Sequence, residues 1–230
     1  MSSKRPRQLS EPTVSRLPVY QRIGRELVRR SIQHVDSDTL GRLSGVAAPT
    51  VRRDLAGLGS IGTRGAGYDV AVLMEKIDEV LGQQLHYNVI VVGMGNLGRA
   101  LVNSSNFLIA GAQLIGLYDV DPEVIGTDMA GITIRDFAGD VVPATMGVIC
   151  TPPEAAQAVA ERLVASGVHA LLNFAPQVLR DLPLGTAVRY VDFSIEMQIL
   201  AYHLTNGTGP LGGGLLRTLG LTAPLAHPAP

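Results

Sequence analysis

The stretch "VIVVGMGNLGRAL", Val89 to Leu101, places three glycines directly behind a run of branched apolar residues. The apolar run predicts a buried parallel strand, and the glycines predict a tight turn that leads into a helix. Gly93 allows the turn, Gly95 lets a pyrophosphate approach the backbone, and Gly98 lets the helix pack close to the strand. This pattern is the fingerprint of a dinucleotide-binding fold. The predicted cofactor contacts in this loop are Gly93, Gly95, Asn96, Leu97 and Gly98.

The next predicted strand ends in an acidic residue, Asp119, which follows Gly98 by 21 positions. At that spacing a carboxylate accepts the adenosine ribose hydroxyls and repels a 2′-phosphate. We therefore expect NAD(H) rather than NADP(H), with Asp121 as a weaker alternative acceptor. Ligands of doubly wound sheets bind at the carboxyl ends of the strands, so two later strand exits should border the nicotinamide. The residues at these exits are Thr151, Pro152, Asn173 and Phe174.

Outward from the fingerprint, short apolar runs alternate with helical or polar segments, which predicts a Rossmann-type doubly wound parallel sheet over residues 85–193. The predicted helices cover 96–108 and 153–166. The segment that follows, 194–206, carries apolar residues at helical spacing and predicts a dimerisation helix, and the glycine- and proline-rich residues 207–230 predict a disordered tail. The six predicted strands are 89–92, 114–118, 132–134, 146–150, 170–173 and 188–193.

The first quarter of the chain has a different charge balance. Residues 1–64 hold 12 Lys and Arg against 5 Asp and Glu, whereas the remainder holds 7 against 15. Only the first part therefore suits a polyanion. Residues 1–14 predict a mobile arm. Residues 15–84 begin with an amphipathic helix in which Pro18 is expected in the first turn, and they end with another helix after Asp69.

Between these two helices lies a helix-turn-helix pattern. Asp36 or Ser37 can cap a short helix, Gly45 can turn the chain, and Pro49 can open a second helix. The glycine-rich "GSIGTRGAGY" then predicts a hairpin with Arg64 at its tip. A helix-turn-helix followed by a hairpin predicts a winged-helix domain. Its predicted contacts to double-stranded DNA are Thr50, Arg52, Arg53 and Arg64.

Several classes of protein are disfavoured by composition. The single cysteine, Cys150, cannot form an internal disulfide, and the five histidines have no metal-like spacing. No cleavable signal or apolar run of membrane-spanning length is present. We therefore expect a cytoplasmic protein with no metal and no membrane contact.

Five motifs in this order, "SRLPVYQR", "VRRDLAGLGSIGTRGAGYDV", "VGMGNLGRAL", "YDVDP" and "NFAP", resemble the Rex family of bacterial redox-sensing transcriptional repressors. The resemblance implies a homodimer whose last helix is swapped onto the partner subunit. It implies operator binding that NADH releases, with NAD+ as a weaker competitor. It also implies that Arg16 makes a contact between subunits and that Asp192 is its acidic partner near the nicotinamide. Ser104 stands where the family commonly has a tyrosine.

Other interpretations remain open at this point. An NAD-dependent oxidoreductase would use the same fingerprint, but residues 85–206 are taken up by the cofactor domain and leave no substrate domain. No histidine or lysine is placed as an acid or base beside the nicotinamide. A nucleotide-binding scaffold without DNA affinity would not need the basic winged helix. A Rex-like paralogue with an altered nucleotide response is the third alternative, because of Ser104.

Overall fold

The computed structural model describes residues 9–59, 61–63, 67–82, 85–104, 107–108 and 111–206. The chain divides into two compact units, Met1–His86 and Tyr87–Pro230. The predicted hairpin tip with Arg64, most of the predicted arm and the predicted disordered tail lie outside the described residues.

The first unit combines four helices with a small antiparallel sheet in the order β1-β3-β2. Its apolar core includes Leu17 and Tyr20 of the first helix, Val51 and Leu55 of the third, and Leu73 of the fourth. This is the predicted winged-helix architecture, with β2 and β3 as the hairpin. The elements are α1 (Glu11–Arg29), β1 (His34–Val35), α2 (Ser37–Ser44), α3 (Ala48–Ala56), β2 (Gly62–Thr63), β3 (Gly67–Asp69) and α4 (Val70–Val80).

The start of α1 corrects the predicted boundary of the arm at residue 14. The side chain of Ser10 accepts a hydrogen bond from the backbone N–H of Thr13, and Pro12 lies in the first turn, so the helix begins at Glu11. Pro18 is consequently in the helix interior rather than in the first turn. Its exposed position lets the helix continue there although one backbone hydrogen bond is lost.

The turn between α2 and α3 follows the prediction closely. Asp36 is the N-cap of α2, and its side chain accepts from the N–H of Thr39 at 2.6 Å. Gly45 ends α2 in the left-handed region at φ 71°, and Pro49 lies in the first turn of α3. Because these residues fix the turn, α3 leaves it with Val51 and Leu55 buried against the core.

The second unit is a seven-stranded sheet in the order β10-β9-β8-β4-β5-β7-β6, with helices at its sides. All pairings are parallel except β6 with β7. All six predicted strands are present, but the last, predicted over 188–193, ends at Tyr190, because α7 already begins at Phe193. The short edge strand β6 was not predicted. The elements are β4 (Tyr87–Val92), α5 (Asn96–Val102), β5 (Ala112–Asp119), β6 (Asp128–Met129), β7 (Ile132–Asp136), β8 (Met146–Ile149), α6 (Pro153–Ala165), β9 (Ala170–Asn173), β10 (Ala187–Tyr190) and α7 (Phe193–Asn206).

The sheet is covered on both faces. Side chains alternate along β4, so Ile90 and Val92 join one apolar cluster with α6, while Val89 and Val91 join another with α5. The predicted helix 96–108 is wrong in its length, because α5 ends at Val102 with Asn103 as its C-cap. In contrast to α5 and α6, α7 has no buried residue.

Candidate functional site

The loop between β4 and α5 is shaped by two glycines that the surrounding backbone requires. Gly93 has φ 97°, and a Cβ atom there would lie 2.6 Å from the carbonyl carbon of Cys150. A Cβ atom on Gly98 would clash with the carbonyl oxygen of Gly93. By contrast, a Cβ atom on Gly95 would meet open space, so the chain's own packing does not explain this glycine. Its backbone is open to an approaching ligand.

This loop lies where the strand order reverses. The chain runs outward from β4 through β5 to β7 on one side, and from β8 through β9 to β10 on the other. Ligands of doubly wound sheets bind in the crevice at this point. The fingerprint loop leaves β4 there, and Thr151 and Pro152 leave β8 beside it. The structure therefore brings these two predicted segments together.

Thr151 has an unusual polar environment. Its hydroxyl is inaccessible to solvent and has no hydrogen-bond partner within the described part of the chain. A buried hydroxyl without a partner is destabilising, and groups of this kind call for an explanation. Because solvent does not reach this hydroxyl, a nucleotide could meet it only after the side chain turned outward, so the cofactor contact of Thr151 stays a prediction.

Asp119 connects the fingerprint loop to the end of β5. Its carboxylate accepts from the backbone N–H of Met94 at 2.5 Å, of Val120 at 2.7 Å and of Asp121 at 3.0 Å. An ionised carboxylate offers about four lone-pair positions, so one remains for a ribose hydroxyl. Asp119 thus holds the loop in place and is half-buried at the carboxyl edge of the sheet.

The exit of β9 is organised by Asn173, which is fully buried. Its amide nitrogen donates to the carbonyl oxygens of Ala175 and Gln177, and its Oδ1 accepts from the N–H of Ala175. These hydrogen bonds show that the Asn173 side chain stabilises the conformation of the loop. A direct contact between Asn173 and the cofactor stays a prediction. Phe174 is half-buried, and its ring lies 6.5 Å from that of Phe193 at the start of α7.

Cys150 lies between β8 and Thr151, under the fingerprint loop. Burial raises the pKa of its thiol to about 12. The thiol is therefore protonated at neutral pH, and this agrees with a packing role rather than a reactive one.

In the first unit, α3 exposes both arginines that were predicted to contact DNA. Arg52 and Arg53 are exposed on its outer side, and Thr50, two residues before Arg52, is half-buried. The two guanidinium groups differ in their surroundings, because Nη1 of Arg52 donates to Oγ of Ser37 at 2.9 Å. Ser37 is the first residue of α2, so Arg52 is held between the two helices of the helix-turn-helix.

Sequence reasoning missed a buried polar network on the inner side of α3. Asp54 is 2% exposed, and its carboxylate accepts hydrogen bonds from Arg16 Nε at 2.6 Å, Arg16 Nη2 at 2.7 Å, Tyr20 Oη at 2.8 Å and Thr13 Oγ1 at 3.0 Å. Burial alone would raise the pKa of Asp54, but the hydrogen bonds from Arg16, Tyr20 and Thr13 outweigh it and lower the pKa. The same hydrogen bond to Asp54 raises the pKa of Arg16. Asp54 is therefore a buried anion, and no sequence motif marked it.

This network changes what can be expected of Arg16. The resemblance assigned Arg16 a contact between subunits, but its guanidinium is paired bidentately with Asp54 in its own unit. The contact between subunits stays a prediction, and it would either use guanidinium donors that Asp54 does not occupy or break this pair. Its predicted partner, Asp192, accepts from both the N–H and the hydroxyl of Ser194 in the first turn of α7, which lowers its pKa.

Two further observations concern classes of site. The described residues contain no cluster of three His, Cys, Asp or Glu side chains suited to holding a metal ion. None of the helices in that same part of the chain has the length and apolarity needed to cross a bilayer.

Comparisons with known proteins agree with this arrangement. A family model described as a CoA binding domain matches residues 85–177, and one described as a putative DNA-binding protein N-terminus matches residues 8–56. A redox-sensing transcriptional repressor Rex from Streptomyces griseus is 46% identical over 204 residues, which cover 86% of this chain and 80% of the relative. Its counterpart in Rhodopirellula baltica is 39% identical over 86% of each chain.

Solved structures give the same result. A crystal structure of RSP with β-NAD+ and operator DNA has a TM-score of 0.77 and 30% identity, and the match covers 94% of this chain and all of that one. RSP with β-NADH has a TM-score of 0.75 and 29% identity, with 93% and 99% covered. RSP is described as a Rex-family repressor. The predicted regulator is thus favoured over the predicted oxidoreductase, and the chain belongs to the Rex family of redox-sensing transcriptional repressors.

Proposed function

We propose that this chain represses transcription by binding operator DNA as a homodimer, and that NADH releases it. The observation that carries the proposal is the combination of two sites in one chain. Arginines are exposed on the recognition helix α3, and a fingerprint loop with open space at Gly95 lies at the reversal of the strand order. The likeness to RSP, solved with NAD+ and operator DNA and with NADH, supports this combination. The protein acts in the cytoplasm, where chromosomal operators are accessible.

The two sites have separate residues. In the nucleotide site Gly95 and the helix start at Asn96 and Leu97 receive the pyrophosphate, Asp119 receives the ribose, and Thr151, Pro152 and Phe174 border the nicotinamide. In the DNA site Arg52 and Arg53 contact DNA from α3 at the major groove, with Thr50 beside them, and Arg64, which the sequence predicts at a hairpin tip, contacts the minor groove.

Discrimination between NADH and NAD+ must arise at the nicotinamide, because both ligands share the adenosine and pyrophosphate contacts. NADH lacks the positive charge of the NAD+ ring and is easier to bury beside apolar groups such as Phe174. NAD+ is therefore the weaker competitor. A ligand shifts an equilibrium only by its differential affinity for two states, so NADH must bind the DNA-free form more tightly.

Dimerisation is assigned to α7. Its apolar side chains include Phe193, Ile195, Ile199 and Tyr202, all between 46% and 63% exposed. A helix of this composition without a covering surface is typical of an interface. We infer that α7 packs on a second copy, as a swapped helix, and that the resulting two-fold dimer presents two recognition helices to successive major grooves.

The test is the thermodynamic linkage between the two sites. A duplex is first selected by the wild-type chain from random-sequence DNA, and NADH affinity is then measured with and without a saturating amount of it. Operator must weaken NADH binding by the same factor by which NADH weakens operator binding. Equal NADH affinities would exclude a regulator, and an equal response to NAD+ would exclude redox sensing. The second result would favour a paralogue with an altered response, in which Ser104 replaces the usual tyrosine.

A further inference from the structure

The Asp54 network joins one carboxylate of the recognition helix to one face of α1. Its three partners, Thr13, Arg16 and Tyr20, are spaced by three and four positions, so they lie on consecutive turns of the same side of α1. All four donor distances lie between 2.6 and 3.0 Å. We propose that Asp54 is a positioning residue for operator recognition, because its bonds to α1 fix the rotation of α3 that presents Arg52 and Arg53 to DNA. The inference rests on the operator binding proposed above.

The position of Asp54 in the sequence makes it suited to this role. It immediately follows Arg52 and Arg53, so any rotation of α3 that moves the Asp54 carboxylate also moves both guanidinium groups. Apolar contacts through Val51 and Leu55 hold α3 against the core without specifying its rotation closely, since such contacts are non-directional. The bidentate bond from Arg16 is directional, because both of its donors meet the two oxygens of one carboxylate.

A contribution of the network to stability and a role in positioning α3 can be told apart. Buried ion pairs are often replaceable by apolar residues of similar volume without loss of stability, whereas directional polar contacts specify a geometry. A positioning role and a packing role therefore make different predictions when every polar group of the network is removed at once. Such a variant leaves no buried charge or hydroxyl of the network without a partner.

The experiment uses the full chain and the duplex selected by the wild type, with an unselected duplex of equal length. The main variant combines Thr13→Val, Arg16→Met, Tyr20→Phe and Asp54→Leu. Affinities are measured by fluorescence anisotropy well below the thermal unfolding midpoint of each protein, and NADH affinity is measured in parallel. We expect the selected duplex, in the absence of NADH, to be bound about tenfold more weakly or worse, with less discrimination from the unselected duplex. The NADH affinity of this variant reports separately on the predicted contact of Arg16 with the other subunit.

Gln21 provides the matched control. It is also a buried polar residue of α1, but its amide donates to Asp78 of α4 rather than to α3. Gln21→Met therefore removes a buried polar contact of the same helix, and we expect wild-type affinity for the selected duplex. Arg16→Lys is the second test variant, because it keeps the charge and loses the bidentate geometry. It should lower affinity in the same direction by a smaller factor.

The outcomes separate the inference from the proposed function. Wild-type affinity in the main variant would overturn the positioning role, and if that variant does not fold, wild-type affinity in Arg16→Lys would overturn it. An equal loss of affinity in Gln21→Met would also overturn it, because the effect would then be a general consequence of disturbing α1. A wild-type chain that selects no duplex would contradict operator binding itself.

Discussion

Three consecutive residues of α3 have three different environments. Arg52 is held by a hydrogen bond to Ser37, Arg53 is exposed, and Asp54 is buried against α1. A side chain that is fixed before binding loses less conformational entropy when it reads a base than one that is free to rotate. Arg52 is therefore suited to reading a base, and Arg53 to following the phosphate backbone.

Ser37→Ala tests whether Arg52 and Arg53 have these two different roles in DNA binding. It removes the acceptor for Arg52, so we expect the selected duplex to lose up to about 1 kcal/mol of binding free energy while unselected duplexes are unaffected. Arg53→Ala should instead weaken both duplexes and reduce the salt slope by about one. Salt titrations of both variants measure the difference. If Ser37→Ala leaves the preference for the selected duplex intact, the role of Arg52 in recognition does not depend on its hydrogen bond to Ser37.

Asp119→Asn tests the nucleotide site without removing every acceptor in the loop. The variant keeps a single side-chain oxygen, so it loses the charge and also the bond from Met94 or those from Val120 and Asp121, and NADH affinity should fall about tenfold. DNA binding without nucleotide should be unchanged, because α3 is in the other unit. Asp121→Asn, at the exposed position two residues later, tests the alternative acceptor in parallel. Isothermal titration of the three proteins gives the comparison, and equal NADH affinities in all of them would remove Asp119 from the site.

Whether a residue's role could be predicted from the sequence depends on how far along the chain its contact partners lie. The turn at Gly93 and the close packing at Gly98 could be predicted because their spacing is local and imposed by a strand, a turn and a helix. The ribose contact of Asp119 stays a prediction. Asp54 could not be predicted, since 38 residues separate it from Arg16. An acidic residue between "VRR" and "LAG" resembles one on a solvated helix face until the packing of α1 is known.

At the scale of elements, the strands were predicted more accurately than the helix ends. Continuous apolar runs mark buried parallel strands wherever both faces are covered, as in β4. Helix α1 begins four residues before the predicted start because Ser10 caps it, and α5 ends early at Val102. Both errors concern capping and local turns, which depend on the geometry of a few backbone groups. The two-residue strand β6 has too short an apolar pattern to be recognised.

The link between α1 and α3 predicts a particular acid sensitivity. Because the pKa of Asp54 is lower in the folded chain than its ordinary value of 3.8, ionised Asp54 stabilises the fold above that value. This contribution is lost as the pH falls from 3.8 through the lower folded-state pKa. Denaturant unfolding of the full chain should therefore show a steeper loss of stability in this acidic range for the wild type than for Asp54→Asn. Parallel curves for the two proteins would contradict an ionised Asp54.

For the whole molecule, the decisive element is α7, because none of its residues is buried in the single chain. Deletion of residues 194–230 should therefore yield a folded monomer, with the seven-stranded sheet intact. A monomer offers DNA one recognition helix instead of two, so its affinity for the selected duplex should fall by at least about a hundredfold. Sedimentation velocity and anisotropy measure both properties. A deleted chain that still sediments as a dimer would show that the interface lies elsewhere.

Because α7 is exposed in the single chain, the concentration of the protein in the cell should also affect repression. If two chains must dimerise through this helix before they bind an operator, the concentration of the active dimer depends on the square of the chain concentration whenever monomers predominate. A cell that dilutes the protein by growth could then lose repression at constant NADH. Transcription from the operator would then depend on how much of the protein the cell has made as well as on its present redox state.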